Sequence, residues 1–185
     1  HQGLVYMSFL SKLNFKIVGL DTNKNLINDL KKNFVSIDTQ AEPSIQKTLK
    51  KNKKKIKFTN NFKEIVNCNF LLVTEDVKIL PDGSKNETKV LDLIKIASKN
   101  IKTNTNFIIL SKINVGFAYK IKNLVKNKKN INILNNPDIL TIGQALRELK
   151  EKKIFIVGLS NTKLAKNKNI KNFFSKIKKK IIFTS

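Results

Sequence analysis

The chain has one cysteine, no tryptophan, three prolines and six glycines in 185 residues. The lone Cys68 excludes an internal disulfide and fits a reducing, cytoplasmic compartment. No apolar run approaches the roughly 18 residues of a membrane span, and no signal peptide is visible. Arginine is nearly absent: Arg147 stands alone among 37 basic residues, against 13 acidic ones, for a formal net charge of +24. Nucleic-acid surfaces favour arginine forks and gather their charge on one face. Here Lys, Asn and Ile recur in predicted strands, helices and turns alike. The basicity therefore reads as chain-wide drift, as from an AT-rich genome, rather than a basic face. The clusters KKNKKK (50–55) and KKK (178–180) read as solvated helix ends and turns.

What is present is an alternation. Leu4 to Leu13 is apolar at helical spacing, and FKIVGLD (15–21) is a buried strand ending on an acid. Helical faces follow at 23–34, near Pro43, at 62–68, 87–101, 116–126, 142–150 and 162–178. Buried strands are expected at 56–60, 69–75, 106–112, 131–137, 153–159 and 180–185, and ILPDGS (79–84) is a turn. Continuous apolar strands alternating with helices predict an α/β fold, a Rossmann-like, doubly wound and mainly parallel sheet covered on both faces. The length suits one domain over 1–185. The chain begins at His1 with the first helix under way, so the strand that should feed it is expected upstream. The sequence reads as a fragment of a longer multidomain protein.

Two features carry chemistry. In dinucleotide folds the second strand ends on an acid that hydrogen-bonds the adenosine ribose, ~20 residues after a glycine turn. Asp21 stands at that place and favours NAD over NADP; the local alternative is a cap for the helix starting near Asn23. The glycine turn itself is degraded. Laid on G-x-G-x-x-G, the chain supplies His1, Gly3 and Tyr6. The middle glycine survives, and Tyr6 stands where a small residue would let helix and sheet approach. Gly3, Leu4 and Val5 are the candidate phosphate-turn residues.

In order along the chain, the segments resemble the NAD-binding domain of the UDP-glucose/GDP-mannose dehydrogenase family of nucleotide-sugar dehydrogenases. HQGLVYM (1–7) is similar to its G-[LF]-G-Y-V-G-L, FKIVGLDTN (15–23) to K-V-x-G-x-D-x-N, and SIDTQAEPSIQKTL (36–49) to P-I-x-E-P-G-L-x-E-L-L. FTNNFKEIVNCN (58–69), PDGSKNETKV (81–90) and LSKINVGF (110–117) fit later motifs. NPDILTIGQALREL (136–149) followed by IFIVGL (154–159) is the most specific stretch, and the family's paired aromatics fall on Phe173 and Phe174.

The resemblance implies an NAD-dependent oxidoreductase in polysaccharide biosynthesis. It would take the primary alcohol of a UDP-sugar, of UDP-glucose or UDP-N-acetylhexosamine type, to the uronic acid in two hydride transfers. It implies a nucleotide-sugar partner held by further domains and a homodimeric full-length protein, with no metal. Asp138 is then the catalytic candidate, and Ser111 hydrogen-bonds the cofactor; the local alternative for Ser111 is a cap for the helix near Gly116. The departures are Leu110 and Lys112 for the glutamate and threonine of E-S-T, Asp138 for the longer glutamate, and TEDVK (74–78) for V-P-T-P. The family's nucleophilic cysteine lies in a later domain, and Cys68 reads as a small core residue. A catalytically degenerate binding module and, less favoured, a basic nucleic-acid-binding α/β domain are the alternatives.

Overall fold

A computed structural model describes residues 1–32, 42–102, 104–125 and 131–184; the first part of the predicted SIDTQAEP loop lies outside them. In chain order the regular elements are α1 (Gln2–Lys12), β1 (Ile17–Leu20), α2 (Lys24–Lys32), α3 (Pro43–Lys51), β2 (Ile56–Thr59), β3 (Phe70–Val73), β4 (Lys78–Ile79) and β5 (Lys85–Asn86). They continue with α4 (Thr88–Lys99), β6 (Asn106–Ile109), α5 (Phe117–Leu124), β7 (Asn132–Asn135), α6 (Ala145–Glu151), β8 (Ile154–Leu159), α7 (Lys168–Ile177) and β9 (Lys180–Thr184). Two compact units divide them: residues 1–64 with 139–153, and 65–138 with 154–185.

In the first unit, β1 and β2 pair in parallel from Ile17↔Ile56 to Leu20↔Thr59. Helix α1 buries Leu4, Val5, Tyr6, Phe9 and Leu10, which wrap most of its circumference. A helix apolar on so many sides must be covered on several, and α1 packs on β1, α3 and α6. The fit against β1 depends on Gly19. A Cβ there would lie 2.6 Å from Met7 Cε and 3.1 Å from a Phe58 ring carbon. Pro43 opens α3 at its first position, where a missing N–H and a fixed φ cost nothing. Val5, Ile45, Leu49, Ala145, Leu146 and Leu149 are fully buried, and burying each Val, Leu or Ile contributes about 1.5–3 kcal/mol.

The second unit holds a five-stranded sheet in the order β3-β6-β7-β8-β9. β3, β6 and β7 run parallel, as do β8 and β9, but β7 and β8 meet antiparallel through Leu134↔Leu159 and Asn135↔Gly158. The sheet is thus mainly parallel, as expected, with one reversal at β8. Strand β6 is buried over its whole length, which is why Phe107, Ile108 and Ile109 read as a continuous apolar run after the buried Asn106. Phe70 on β3 stacks on Phe173 at 4.3 Å, Phe173 meets Phe174 edge-on at 5.2 Å, and Phe174 meets Phe183 on β9 at 5.9 Å. The paired aromatics of α7 thereby connect the two edge strands of the sheet.

Three predicted elements change. The helix expected over 162–178 is a short 3-10 segment, Thr162–Lys166, followed by α7. The break is made by Asn167, whose side chain accepts from the amides of Asn169 at 2.9 Å and Ile170 at 3.2 Å and starts a new helix. The helix expected over 62–68 is one 3-10 turn, Phe62–Ile65. The turn at 79–84 sits inside a small antiparallel hairpin of β4 and β5, with Leu80 N–H donating to Ser84 C=O at 2.8 Å.

Gly19→Ala should change stability by less than about 1 kcal/mol, because the closest atoms, Met7 Cε and Sδ, are the far end of a flexible side chain and Phe58 need yield only a few tenths of an ångström. The larger Gly19→Val should cost about 1–3 kcal/mol. Chemical denaturation followed by circular dichroism checks this; a Gly19→Val variant as stable as the parent would show that the α1–β1 approach is not limiting.

Candidate functional site

The first unit carries the glycine-turn and acid candidates. Helix α1 starts at Gln2 with His1 as its N-cap and no side-chain cap bond. The first hydrogen bond of its ladder runs from Val5 N–H to His1 C=O at 3.2 Å. The amides of Gly3 and Leu4 precede that ladder and sit at the positive end of the helix, where an anionic group is favoured. Val5 differs from expectation in detail: its amide is spent inside the helix and its side chain is fully buried, so it closes the turn rather than facing a ligand.

Tyr6, at the third glycine position, is buried with 6% of its surface exposed. The close approach of α1 to β1 is made at Gly19, opposite Met7, the residue after Tyr6.

Asp21 is exposed directly after β1, its backbone N–H donating to Thr59 C=O at 3.2 Å. Its Oδ1 accepts Asn23 N–H at 2.8 Å, and Asn23 Oδ1 in turn accepts the amides of Asn25 at 3.0 Å and Leu26 at 3.1 Å. The helix cap is therefore Asn23, and Asp21 braces the cap. This leaves a carboxylate on the open end of β1, the place a ribose acid occupies.

The second unit carries Ser111 and Asp138. They follow the C-terminal ends of β6 and β7, which are hydrogen-bonded neighbours in register at Ile109↔Asn135. Both are buried, with 3% and 5% of their surface exposed. Ser111 Oγ donates to Glu75 C=O at 2.6 Å, so its proton is committed to the backbone and the hydroxyl keeps only acceptor capacity toward a ligand. It does not cap the helix near Gly116. Gly116 itself is the N-cap of α5, at φ +85°, a conformation that an L side chain strains to adopt.

Sequence reasoning passed over Glu87. It is 4% exposed, and its carboxylate accepts Asn114 N–H at 2.6 Å and Lys120 Nζ–H at 2.8 Å. It ties the start of α4 to the 111–116 loop and to α5. The sequence gives one sign of this, an acid immediately before a helical face, but not its partners 27 and 33 residues away.

Cys68 is a free, half-buried thiol, and burial raises its pKa above the ordinary value. The raised pKa makes it a poorer nucleophile, and its half-burial falls short of the core position expected of it. No group of three His, Cys, Asp or Glu side chains suited to a metal occurs among the described residues. No helix among them is long and apolar enough to cross a membrane.

The profile of the UDP-glucose/GDP-mannose dehydrogenase family, NAD binding domain, matches residues 1–178. The chain belongs to this family. It is 22% identical over 170 residues to UDP-glucose 6-dehydrogenase of Bacillus subtilis, a match covering 88% of this chain and 38% of that protein. Its fold is similar to that of a UDP-D-ManNAc dehydrogenase from Pyrococcus horikoshii, with a TM-score of 0.84 at 20% identity, covering 98% of this chain and 44% of that one. A UDP-glucose dehydrogenase from Pyrobaculum islandicum gives 0.84 at 15% identity, covering 100% and 44%. The chain spans less than half the length of these relatives. The Rossmann-like reading of the sequence holds, and the domain is the family's NAD-binding one. On the first unit the residues fit such a cofactor: unladdered amides at Gly3 and Leu4 suit a diphosphate, and the Asp21 carboxylate suits ribose hydroxyls.

Two outcomes follow. Alkylation of Cys68 should be slower in the folded chain than in denaturant at the same pH, and should keep rising past the ordinary thiol range as pH increases; equal rates would contradict the burial argument. Glu87→Ala should destabilise by about 1–3 kcal/mol through loss of the charge-assisted bonds that tie the start of α4 to Asn114 and Lys120, with Glu87→Gln recovering much of the loss in thermal melts.

Proposed function

We propose that this chain is the NAD-binding part of a nucleotide-sugar dehydrogenase that oxidises the primary alcohol of a UDP-sugar, of UDP-glucose or UDP-N-acetylhexosamine type, to the uronic acid. The observation that carries the reading is the family match over residues 1–178. The named relatives, a UDP-glucose 6-dehydrogenase and a UDP-D-ManNAc dehydrogenase, give the substrate class.

Bound NAD would supply a hydride acceptor. The residues of this chain would bind and orient it: Gly3 and Leu4 amides toward the diphosphate, Asp21 toward the adenosine ribose, and Ser111 as an acceptor only. Asp138 is the acid proposed nearest the reacting alcohol, as base or as orienter of a water. The nucleotide-sugar would be held by parts of the longer protein that also pair it as a homodimer in the cytoplasm.

A second reading, a degenerate relative kept as a binding module, is favoured by three specific features. Tyr6 is buried in the glycine position, Lys112 replaces a threonine, and the Ser111 proton is committed to Glu75.

The two readings part on cofactor binding. The 185-residue chain should bind NAD, measured by calorimetry, with preference over NADP, and Asp21→Ala should weaken binding about tenfold while leaving the melting temperature close to the parent's. Failure of the folded chain to bind NAD would select the degenerate module. With NAD and UDP-sugars the chain alone should show no turnover, because it lacks the family's thiol segment; measurable NADH production would overturn that assignment.

A further inference from the structure

The buried acid Glu87 is not used by the chemistry proposed above, yet its surroundings single it out. It stands at the N-cap of α4, where an acid ordinarily accepts from an early amide of its own helix. Here the Thr88 N–H donates instead to Asn86 Oδ1 at 3.1 Å, and the Glu87 side chain makes no cap bond. Its carboxylate turns to the 111–116 loop and to α5. Asn114 N–H donates to Oε1 at 2.6 Å, and Lys120 Nζ–H to Oε2 at 2.8 Å. A carboxylate is costly to bury, and an apolar residue would fill the same space at less cost. What the acid adds is direction, since short charge-assisted bonds hold their donors in place.

The segment 75–87, which includes the β4–β5 hairpin, grips this loop at Ser111, Ile113 and Asn114. Ser111 Oγ donates to Glu75 C=O at 2.6 Å, Lys85 Nζ donates to Ile113 C=O at 3.4 Å, and Glu87 takes the Asn114 amide. Glu75 in turn lies 4.0 Å from Lys89 in the first turn of α4. Glu87 joins a buried charge to a backbone amide, whereas the contacts of Lys85 and Lys89 are longer and weaker. Removing the Glu87 carboxylate should therefore loosen the loop just beyond Ser111.

The position of that loop matters to a ligand because of Ser111. Its proton is committed to Glu75, so it offers a ligand lone pairs alone, aimed by the course of the loop backbone. A hydrogen bond weakens steeply as its angle departs from linear. Dinucleotide folds are built from two mononucleotide-binding halves. Gly3, Leu4 and Asp21 belong to the first unit, with the adenosine end as their proposed target, and Ser111 follows β6 in the second unit.

The inference rests on the cofactor reading above. We propose that Glu87 is a positioning residue for NAD: through the Asn114 amide it holds the 111–116 loop so that Ser111 aims its acceptor oxygen at the nicotinamide-ribose half of the cofactor.

The test is calorimetry of the 185-residue chain with NAD and with AMP, which carries the adenosine end alone. Glu87→Ala should weaken NAD about three- to tenfold, the loss expected of one hydrogen bond, and leave AMP unchanged. Glu87→Gln keeps an oxygen for the Asn114 N–H and should hold NAD within about twofold of the parent. Glu87→Asp keeps the charge but falls one methylene short. It should weaken NAD as Glu87→Ala does, and it serves where Glu87→Ala does not fold. Ser111→Ala should weaken NAD by a similar factor, and adding Glu87→Ala to it should cost nothing further, because the loop then has no oxygen to aim. Three results would overturn this proposal alone. They are NAD bound by Glu87→Ala or Glu87→Asp as tightly as by the parent, NAD and AMP weakened by the same factor, or effects of Glu87→Ala and Ser111→Ala that add. A parent chain that binds neither AMP nor NAD would overturn the cofactor reading and this proposal with it.

Discussion

The first unit is organised around the seat of α1 on β1, at a strand position without a side chain. With hydrogen at Gly19, Met7 enters the space beside β1 and α1 settles on the strand; with a Cβ, the closest approach would be 2.6 Å. Several other positions follow from that seat. Helices α3 and α6 pack on α1, so their buried Ile45, Leu49, Leu146 and Leu149 depend on where α1 rests. The N-terminal amides of α1 and the carboxylate of Asp21 belong to the two elements this contact joins. Glycine fingerprints place the close-packing glycine on the helix side of such a contact. Here a buried tyrosine holds that position, and α1 meets the strand through Met7 at Gly19, the glycine of the K-V-x-G-x-D-x-N stretch.

Buried carboxylates do comparable work where strands do not. Glu42 and Glu87 precede α3 and α4, and each receives an amide from a segment distant in sequence, Leu146 and Asn114. A charge is a costly object to bury, and it persists only with hydrogen bonds of good geometry. Both bonds reach the start or approach of another element, so each acid fixes a loop that apolar packing alone would leave free to slide. Glu87 is fully served by an amide and a lysine, whereas Glu42 has one oxygen left over.

The sequence made the strands and the helical faces legible because burial on both faces enforces continuous apolar runs, as in β6, and burial on one face enforces the 3.6 spacing, as in α7. Asp21 stood out because an acid ends an apolar strand about 20 residues after a glycine turn, a spacing dinucleotide folds use, whereas its bond to the Asn23 amide was not visible. What stayed hidden depended on contacts the spacing does not encode. Asn167 looked like one more polar residue in a lysine-rich helix, and only its capping bonds show that a new helix starts there. The reversal of β8 leaves no trace in an apolar run, because a buried strand reads the same in either direction. Ser111 was visible as a strand-end hydroxyl, but its donation to the Glu75 carbonyl was not, and that bond changes what it can offer a ligand. Glu42 was noticed as half of a Glu-Pro pair, yet its partner lies 104 residues away.

The charge of the chain supports the view that local rather than global fields matter here. Lysines occupy the last turns of α1, α2, α3, α4, α5, α6 and α7, where the negative end of a helix offsets their charge. In the first unit three of these ends converge. At the ends of α1, α3 and α6, burial first and then the neighbouring Lys150 and Lys51 lower the pKa of Lys12. The packing of three helices, not the count of lysines, decides where their charges meet.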